Sequence, residues 1–220
     1  VTSKKQGLLH SLFNLDSKWM RASAALFDLL VFNLLFVLSC LPLLTIGVAK
    51  MALYASLLDW REGQVSQLVT TYRSHFKYYF KSGLRLGLIE LGIMSICLLD
   101  LFLIRNQSGL VFQGFKVLCI AVLFLVVILF LYAYPQAVKR DLSLSTLFKR
   151  SFLLAGLFFP WSFAFLAFIC LTIFSLQLSL LTLFGGVSLL AIIGISSLTY
   201  LYLIIMESLL RRFPLNNDIE

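Results

Sequence analysis

The sequence predicts an all-α fold: a polytopic membrane helix bundle with about six membrane segments, the second one short. Three observations predict it. Hydrophobic residues make up 60% of the chain and charged residues only 13%, whereas about a quarter of a soluble domain is charged. Mean hydropathy is +0.97, and apolar stretches of helix-spanning length recur between short polar connections. Finally, fifteen of the 18 Lys and Arg fall in segments that one topology gathers on a single side. That is the positive-inside pattern, and it sets both termini in the cytoplasm.

Residues 1–21 are polar and basic, and Leu8, Leu9, Leu12 and Phe13 form an amphipathic patch suited to a membrane surface. The first span covers residues 22–41, and Pro42 ends it because the pyrrolidine ring cannot continue a helical ladder. A short apolar segment, 47–58, returns. At about 1.5 Å per residue it falls short of a ~30 Å hydrocarbon core, so the spacing predicts a hairpin arm with its turn buried in protein.

Residues 64–81 read as an amphipathic helix on the cytoplasmic surface. Val65, Leu68, Val69, Tyr72, Phe76 and Tyr79 mark one face, and Arg73, Lys77 and Lys81 form an i, i+4, i+8 row on another. The third span covers 82–104, a short external turn 105–109, and the fourth span 110–134. A second internal connection, 135–150, begins at Pro135 and ends in basic residues. The fifth span, 151–176, carries Pro160-Trp161 at its middle, where a proline permits a kink. The sixth covers 181–210, anchored by Arg211-Arg212, and an acidic tail occupies 213–220. Residues 22–212 thus form one transmembrane domain. A weak internal echo links Phe80-Lys81-Ser82-Gly83-Leu84 with Phe148-Lys149-Arg150-Ser151-Phe152, each leading into a span.

Ionisable groups within spans point to sites, because lipid burial costs several kcal/mol unless they pair or reach water. Glu90 shares a face with Gly83, Gly87 and Met94, and Gly83-x-x-x-Gly87 is a close-packing signature. Two readings fit Glu90: a polar pocket or proton site, or a structural bridge to Lys50 or Arg85. The bridge is favoured. Lys50 either snorkels to the interface or neutralises Glu90 or Asp100. Asp28, near the inner end of the first span, suits helix-dipole compensation, and Asn33 suits a hydrogen bond between helices. Glu207 precedes Arg211 by four residues, an ordinary helical pair. Trp161 either packs or faces a cavity where a ring stacks on a sugar; packing is the simpler reading. Trp19 and Trp60 suit the inner interface.

Several classes are disfavoured. Basic residues beside apolar spans match anionic lipid headgroups rather than nucleic acid. Cys40, Cys97, Cys119 and Cys170 each lie in an apolar stretch without paired spacing, so they read as small buried hydrophobes. Val37-Leu38-Ser39-Cys40 only loosely resembles a lipidation box. With two histidines, no metal-ligand spacing, no phosphate loop and no nucleophile–base set, no enzyme activity, metal or cofactor is expected.

The stretch 33–54 resembles the YesL-like family, small bacterial membrane proteins that also go under a domain-of-unknown-function label. The resemblance rests on Asn33-Leu34-Leu35, Leu41-Pro42-Leu43-Leu44-Thr45-Ile46-Gly47, Ala49 and Ala52-Leu53-Tyr54, with Phe76-Lys77-Tyr78-Tyr79-Phe80-Lys81 as a second patch. Tyr79 departs from the family's usual Asn, Val48 from a frequent Pro, and Lys50 from a small residue. The resemblance implies a bacterial cytoplasmic membrane and an accessory role beside carbohydrate ABC importers; it implies no catalytic residues. Arg73, Lys77 and Lys81, with Phe76 and Phe80, then become a docking surface for permease or ATPase subunits, or for anionic lipid. Glu90, Asn33, Lys50, Asp28 and Trp161 are the candidate intramembrane polar site of the competing reading, a stand-alone substrate-binding component or small permease for a sugar-like solute. A membrane assembly scaffold is the third. Oligomeric state stays open.

Overall fold

The structure is a computed structural model that describes residues 18–140, 142–176, 179–189 and 194–212. Every regular element among them is helical. In chain order they are α1 (Lys18–Ser39), a 3-10 turn (Leu43–Thr45), α2 (Ile46–Arg61), α3 (Leu68–Tyr78), α4 (Phe80–Leu103), α5 (Leu110–Lys139), α6 (Leu144–Leu157), α7 (Phe159–Leu176), α8 (Leu180–Leu189) and α9 (Ile195–Arg212). The amphipathic patch at 8–13 and the tail at 213–220 lie outside the described residues.

The all-helical membrane-type fold matches the expectation; several boundaries do not. Among the described residues, four stretches are long and apolar enough to cross a membrane: Trp19–Ser39, Leu43–Arg61, Phe80–Leu103 and Leu110–Lys139. The second segment is therefore not a short arm. The 3-10 turn and α2 run on as 19 residues, close to 28 Å at about 1.5 Å per residue. The fifth segment is not one continuous helix. It breaks at Phe158, and the two arms, Leu144–Leu157 and Phe159–Ala167, meet at 83°. Pro160 sits in the first turn of α7, where a missing N–H costs nothing. Counted as one bent span, this pair brings the total to five among the described residues. The sixth segment divides into α8 and α9, and the apolar part of α9, Ile195–Ser208, is shorter than a full crossing.

Two further shifts concern connections. The amphipathic helix is α3, residues 68–78, and Lys81 belongs to α4 after a break at Tyr79. Pro135 does not open a connection: α5 continues through it to Lys139. Pro135 has no N–H to give the Leu131 carbonyl one turn back, and the Tyr202 hydroxyl of α9 donates to that carbonyl instead, at 3.2 Å. A tertiary contact thus replaces the lost rung and lets the helix run on.

At the α1–α2 turn, Pro42 interrupts the ladder and Thr45 closes it. The Thr45 hydroxyl lies 2.6 Å from the Ser39 carbonyl and 2.7 Å from that of Pro42, so one proton serves two helix-end acceptors. α2 is the buried centre: Val48, Ala49, Ala52, Leu53 and Leu57 have almost no exposed surface. Around it pack Phe32 of α1, Leu86 of α4, Tyr134 of α5 and Leu154 of α6. The core occupies only one end of the α4–α5 hairpin. Leu98, Leu99 and Phe102 of α4, with Val111, Phe115 and Leu118 of α5, are exposed at the other. Apolar surface on this scale requires lipid as its solvent.

Candidate functional site

Two polar clusters emerge, and the first is built by glycines. At Gly47 an added Cβ would lie 2.6 Å from the Gly87 Cα, and at Gly83 it would lie 2.7 Å from the Val48 Cα. Only hydrogen atoms fit there, so α2 and α4 cross backbone to backbone. Lys50 follows Gly47 by three residues and Glu90 follows Gly87 by three. One helical turn beyond the crossing, both side chains therefore meet. The Lys50 ammonium lies 2.7 and 2.8 Å from the two Glu90 carboxylate oxygens. The Tyr134 hydroxyl donates to Glu90 Oε2 at 2.6 Å, and the ammonium sits 4.8 Å from the Tyr134 ring centroid.

The Glu90 side chain is 10% exposed and that of Lys50 31%. Both carboxylate oxygens carry charge-assisted or phenolic hydrogen bonds. Chemically this is a lock rather than a relay, because the carboxylate has a resident cation and a resident donor.

The remaining expected site residues do not join it. Asn33 is fully buried and accepts the Ser196 backbone N–H at 2.9 Å, at the start of α9. The Ser196 hydroxyl in turn donates to the Leu29 carbonyl at 2.7 Å. Asp28 accepts the Trp60 indole N–H at 2.8 Å, tying α1 to the end of α2, and Trp60 packs edge-on to Tyr200 of α9. Trp161 is 56% exposed and lines a cavity of about 160 Å³ with Tyr132, Tyr202 and Met206. Glu207 pairs with Arg61 of α2; the Arg211 side chain, its expected partner, lies outside the described residues.

α3 is held on its inner side. Tyr72 is buried, and His75 Nε2 lies 2.7 Å from Asp59 Oδ2 of α2. Burial raises the Tyr72 hydroxyl above the ordinary tyrosine pKa. Phe76 is half-buried, between Tyr72 and Phe80. Phe80 is exposed, as are Arg73, Lys77 and Lys81, and these four line a shallow surface depression with Phe76.

The second cluster lies where the α3–α4 and α5–α6 junctions meet. The Tyr79 hydroxyl donates to the Val138 carbonyl at 3.2 Å. Beside this contact is a cavity of about 530 Å³ lined by Lys81, Arg85 and Arg140, by Ser82 and Ser143, and by Leu86, Leu144 and Leu147. No group of His, Cys, Asp and Glu able to hold a metal ion occurs among the described residues.

Sequence reading missed Tyr134, because nothing local marks it as a partner of Glu90. The same holds for the Arg61–Glu207 and His75–Asp59 pairs. Arg140 carried a signal: it is one of the basic residues clustered in a connection.

Helix length, apolar exposure and buried polar pairing together define a helical membrane protein. Residues 29–101 match the family model described as "Protein of unknown function, DUF624", about a third of the 220-residue chain. This agrees with the YesL-like resemblance. The match spans Asn33, the Pro42–Gly47 turn, the glycine crossing, Lys50 and Glu90, and stops before Tyr134 and Arg140. Neither a curated protein nor a solved structure matches the chain significantly.

Proposed function

We propose that the protein is a non-catalytic integral-membrane accessory subunit or regulator of a carbohydrate ABC importer, in the bacterial cytoplasmic membrane with both termini inside. In this reading α3 and the first turn of α4 dock an acidic surface of the permease or ATPase subunits. One observation carries the docking element. α3 is fastened inward through Tyr72 and His75, while Arg73, Lys77 and Lys81 face outward with no ion-pair partner among the described residues. A rigidly mounted cationic row is pre-organised for an acidic partner. The importer itself is proposed from the family resemblance. The Lys50–Glu90–Tyr134 lock favours this reading over a stand-alone permease, whose polar groups must converge on a substrate rather than on each other.

The test is purification of the native protein in gentle detergent, with co-purifying chains identified by mass spectrometry. The expected result is stoichiometric recovery of an importer permease or ATPase, lost in the Arg73→Glu/Lys77→Glu/Lys81→Glu variant while membrane insertion is retained. Recovery of the wild type alone, or recovery indifferent to charge reversal, overturns the reading.

A further inference from the structure

We infer that the α1–α2 hairpin is a re-entrant wedge that docks on lipid. It enters the bilayer from the side where α4 begins, stops part-way, and seats its apolar turn among the acyl chains of that one leaflet. The orientation proposed above makes that leaflet the cytoplasmic one; the depth itself does not rest on it.

Register is the first argument. Both arms of the hairpin are long enough to cross, so what they pack against decides their depth. A Cβ added at Gly83 would lie 2.7 Å from the Val48 Cα. One added at Gly87 would lie 3.0 Å from the Gly47 Cα and 4.0 Å from the Leu44 carbonyl oxygen. Moving forward along α4 therefore means moving back along α2 toward the turn, so the two helices run antiparallel and the turn is level with Gly87. Gly87 lies seven residues, about 10 Å, from Phe80 at the start of α4, and sixteen residues, about 24 Å, from Leu103 at its end. A hairpin crossing beside α4 and α5 would bring its turn level with residues 104–109; this one stops about two-thirds of a helix short. From Gly47, α2 runs back fourteen residues, about 21 Å, to Arg61. There Trp60 meets Asp28, His75 meets Asp59 and Arg61 meets Glu207. Such polar contacts suit the watery side from which the hairpin enters.

The chemistry of the turn is the second. Residues 105–109, between α4 and α5, read Arg-Asn-Gln-Ser-Gly, as a turn in water should, whereas residues 40–44 read Cys-Leu-Pro-Leu-Leu. Leu41, Leu43 and Leu44 are 75%, 71% and 58% exposed. In hydrocarbon, backbone polar groups must be answered from within the protein. Pro42 has no N–H, the Thr45 N–H donates to the Pro42 carbonyl at 2.9 Å, and the Thr45 hydroxyl serves the Ser39 and Pro42 carbonyls. The Ser39 hydroxyl donates to the Leu35 carbonyl at 2.7 Å. Both hydroxyls of the turn are thus spent on backbone acceptors. The exposed leucines also continue the lipid-facing surface of α4, where Leu88, next to Gly87, is exposed. A half-depth hairpin explains why the core occupies one end of α4 and α5: Leu98, Leu99 and Phe102 lie beyond the reach of the turn.

The test places single cysteines in the full-length protein after Cys40, Cys97, Cys119 and Cys170 are replaced by alanine. Leu41→Cys and Leu43→Cys probe the turn at exposed positions, where packing is spared. Ser108→Cys probes the α4–α5 turn, and Glu62→Cys the end of α2. In spheroplasts a membrane-impermeant maleimide should label Ser108→Cys alone. Permeabilisation should add Glu62→Cys, and the two α1–α2 turn positions should react only after detergent solubilisation. Nitroxides attached at those two positions, in vesicles of phosphatidylcholine and phosphatidylglycerol, should be open to dissolved oxygen and closed to a water-soluble nickel complex. That combination marks acyl chains. Labelling of the turn together with Ser108→Cys means that the hairpin crosses, and labelling together with Glu62→Cys means that it stays in water; either overturns the inference. So do nitroxides closed to both reagents, which put the turn inside protein. If Ser108→Cys and Glu62→Cys merely exchange sides, the orientation proposed above fails and the half-depth hairpin stands.

Discussion

The two polar clusters sit on the same helix, α4, only one to two turns apart, yet they are built on opposite principles. Around Glu90 every charge is answered: an ammonium and a phenol close on one carboxylate, and the ammonium also lies over the phenol ring. Around Arg85 the side chains of Lys81, Arg85 and Arg140 line open volume, and no carboxylate lines it among the described residues. The difference separates polarity closed on itself from polarity that lines open volume. In lipid, an unanswered charge near the helix middle is expensive, so the deeper cluster must be self-contained. Near the helix end, water and headgroups relieve that cost, and cations can stand ready.

Substitution at Glu90 should produce the largest effect and sharpen this contrast. Glu90→Leu leaves the Lys50 ammonium without its counter-charge. Breaking a buried pair from one side typically costs about 3–5 kcal/mol, and the partial exposure of Lys50 sets the expectation at about 3. Adding Lys50→Met should recover most of that loss. Arg85→Gln, one turn and a half away, should change stability by less than about 0.5 kcal/mol. Denaturant unfolding in detergent measures all three. Additive losses in the double variant, or a large loss at Arg85, would erase the distinction between the clusters.

The glycine crossing comes next. Gly47→Ala places a methyl group against the backbone of α4, which cannot rotate away, so overpacking should cost roughly 2 kcal/mol. Gly92→Ala lies on the same helix about two and a half turns after Gly83 and meets open space. It should stabilise α4 by up to about 1 kcal/mol from helix propensity alone. Opposite signs from one chemical change would show that the crossing, not glycine flexibility, requires Gly47. A shared sign would break that account.

These particulars explain what was legible in the sequence. The apolar stretches, Pro42 as a helix end and the Gly83-x-x-x-Gly87 contact follow from local spacing, and the structure contains them; the sequence offers Lys50 or Arg85 as the bridge to Glu90, and the structure makes it with Lys50. Partners far apart in the chain do not follow. Tyr134 is 44 residues from Glu90 and Ser196 is 163 from Asn33, and no periodicity couples such positions. Helix ends in lipid were also poorly marked. An uninterrupted apolar run reads as one span whether it is straight or, as at Phe158, turned through 83°. Proline misled in both directions: Pro135 looked like a terminus and is interior, while Pro160 looked interior and opens a helix.

Pro135 supplies the smallest effect and the most specific test. The Leu131 carbonyl lost its helical donor to the proline ring and takes the Tyr202 hydroxyl instead. Tyr202→Phe should therefore cost about 1 kcal/mol, the usual worth of one hydrogen bond plus a share of an unsatisfied acceptor. Pro135→Ala restores a backbone N–H one turn beyond Leu131. In that background the carbonyl no longer depends on α9, and Tyr202→Phe should cost close to nothing. The two changes must then be non-additive by about the full hydrogen-bond value, which a double-mutant cycle of unfolding free energies reads directly. If Tyr202→Phe costs the same in both backgrounds, the hydroxyl is stabilising something other than the gap that Pro135 leaves. The α5–α9 contact would then be ordinary packing rather than a replacement rung in the helix.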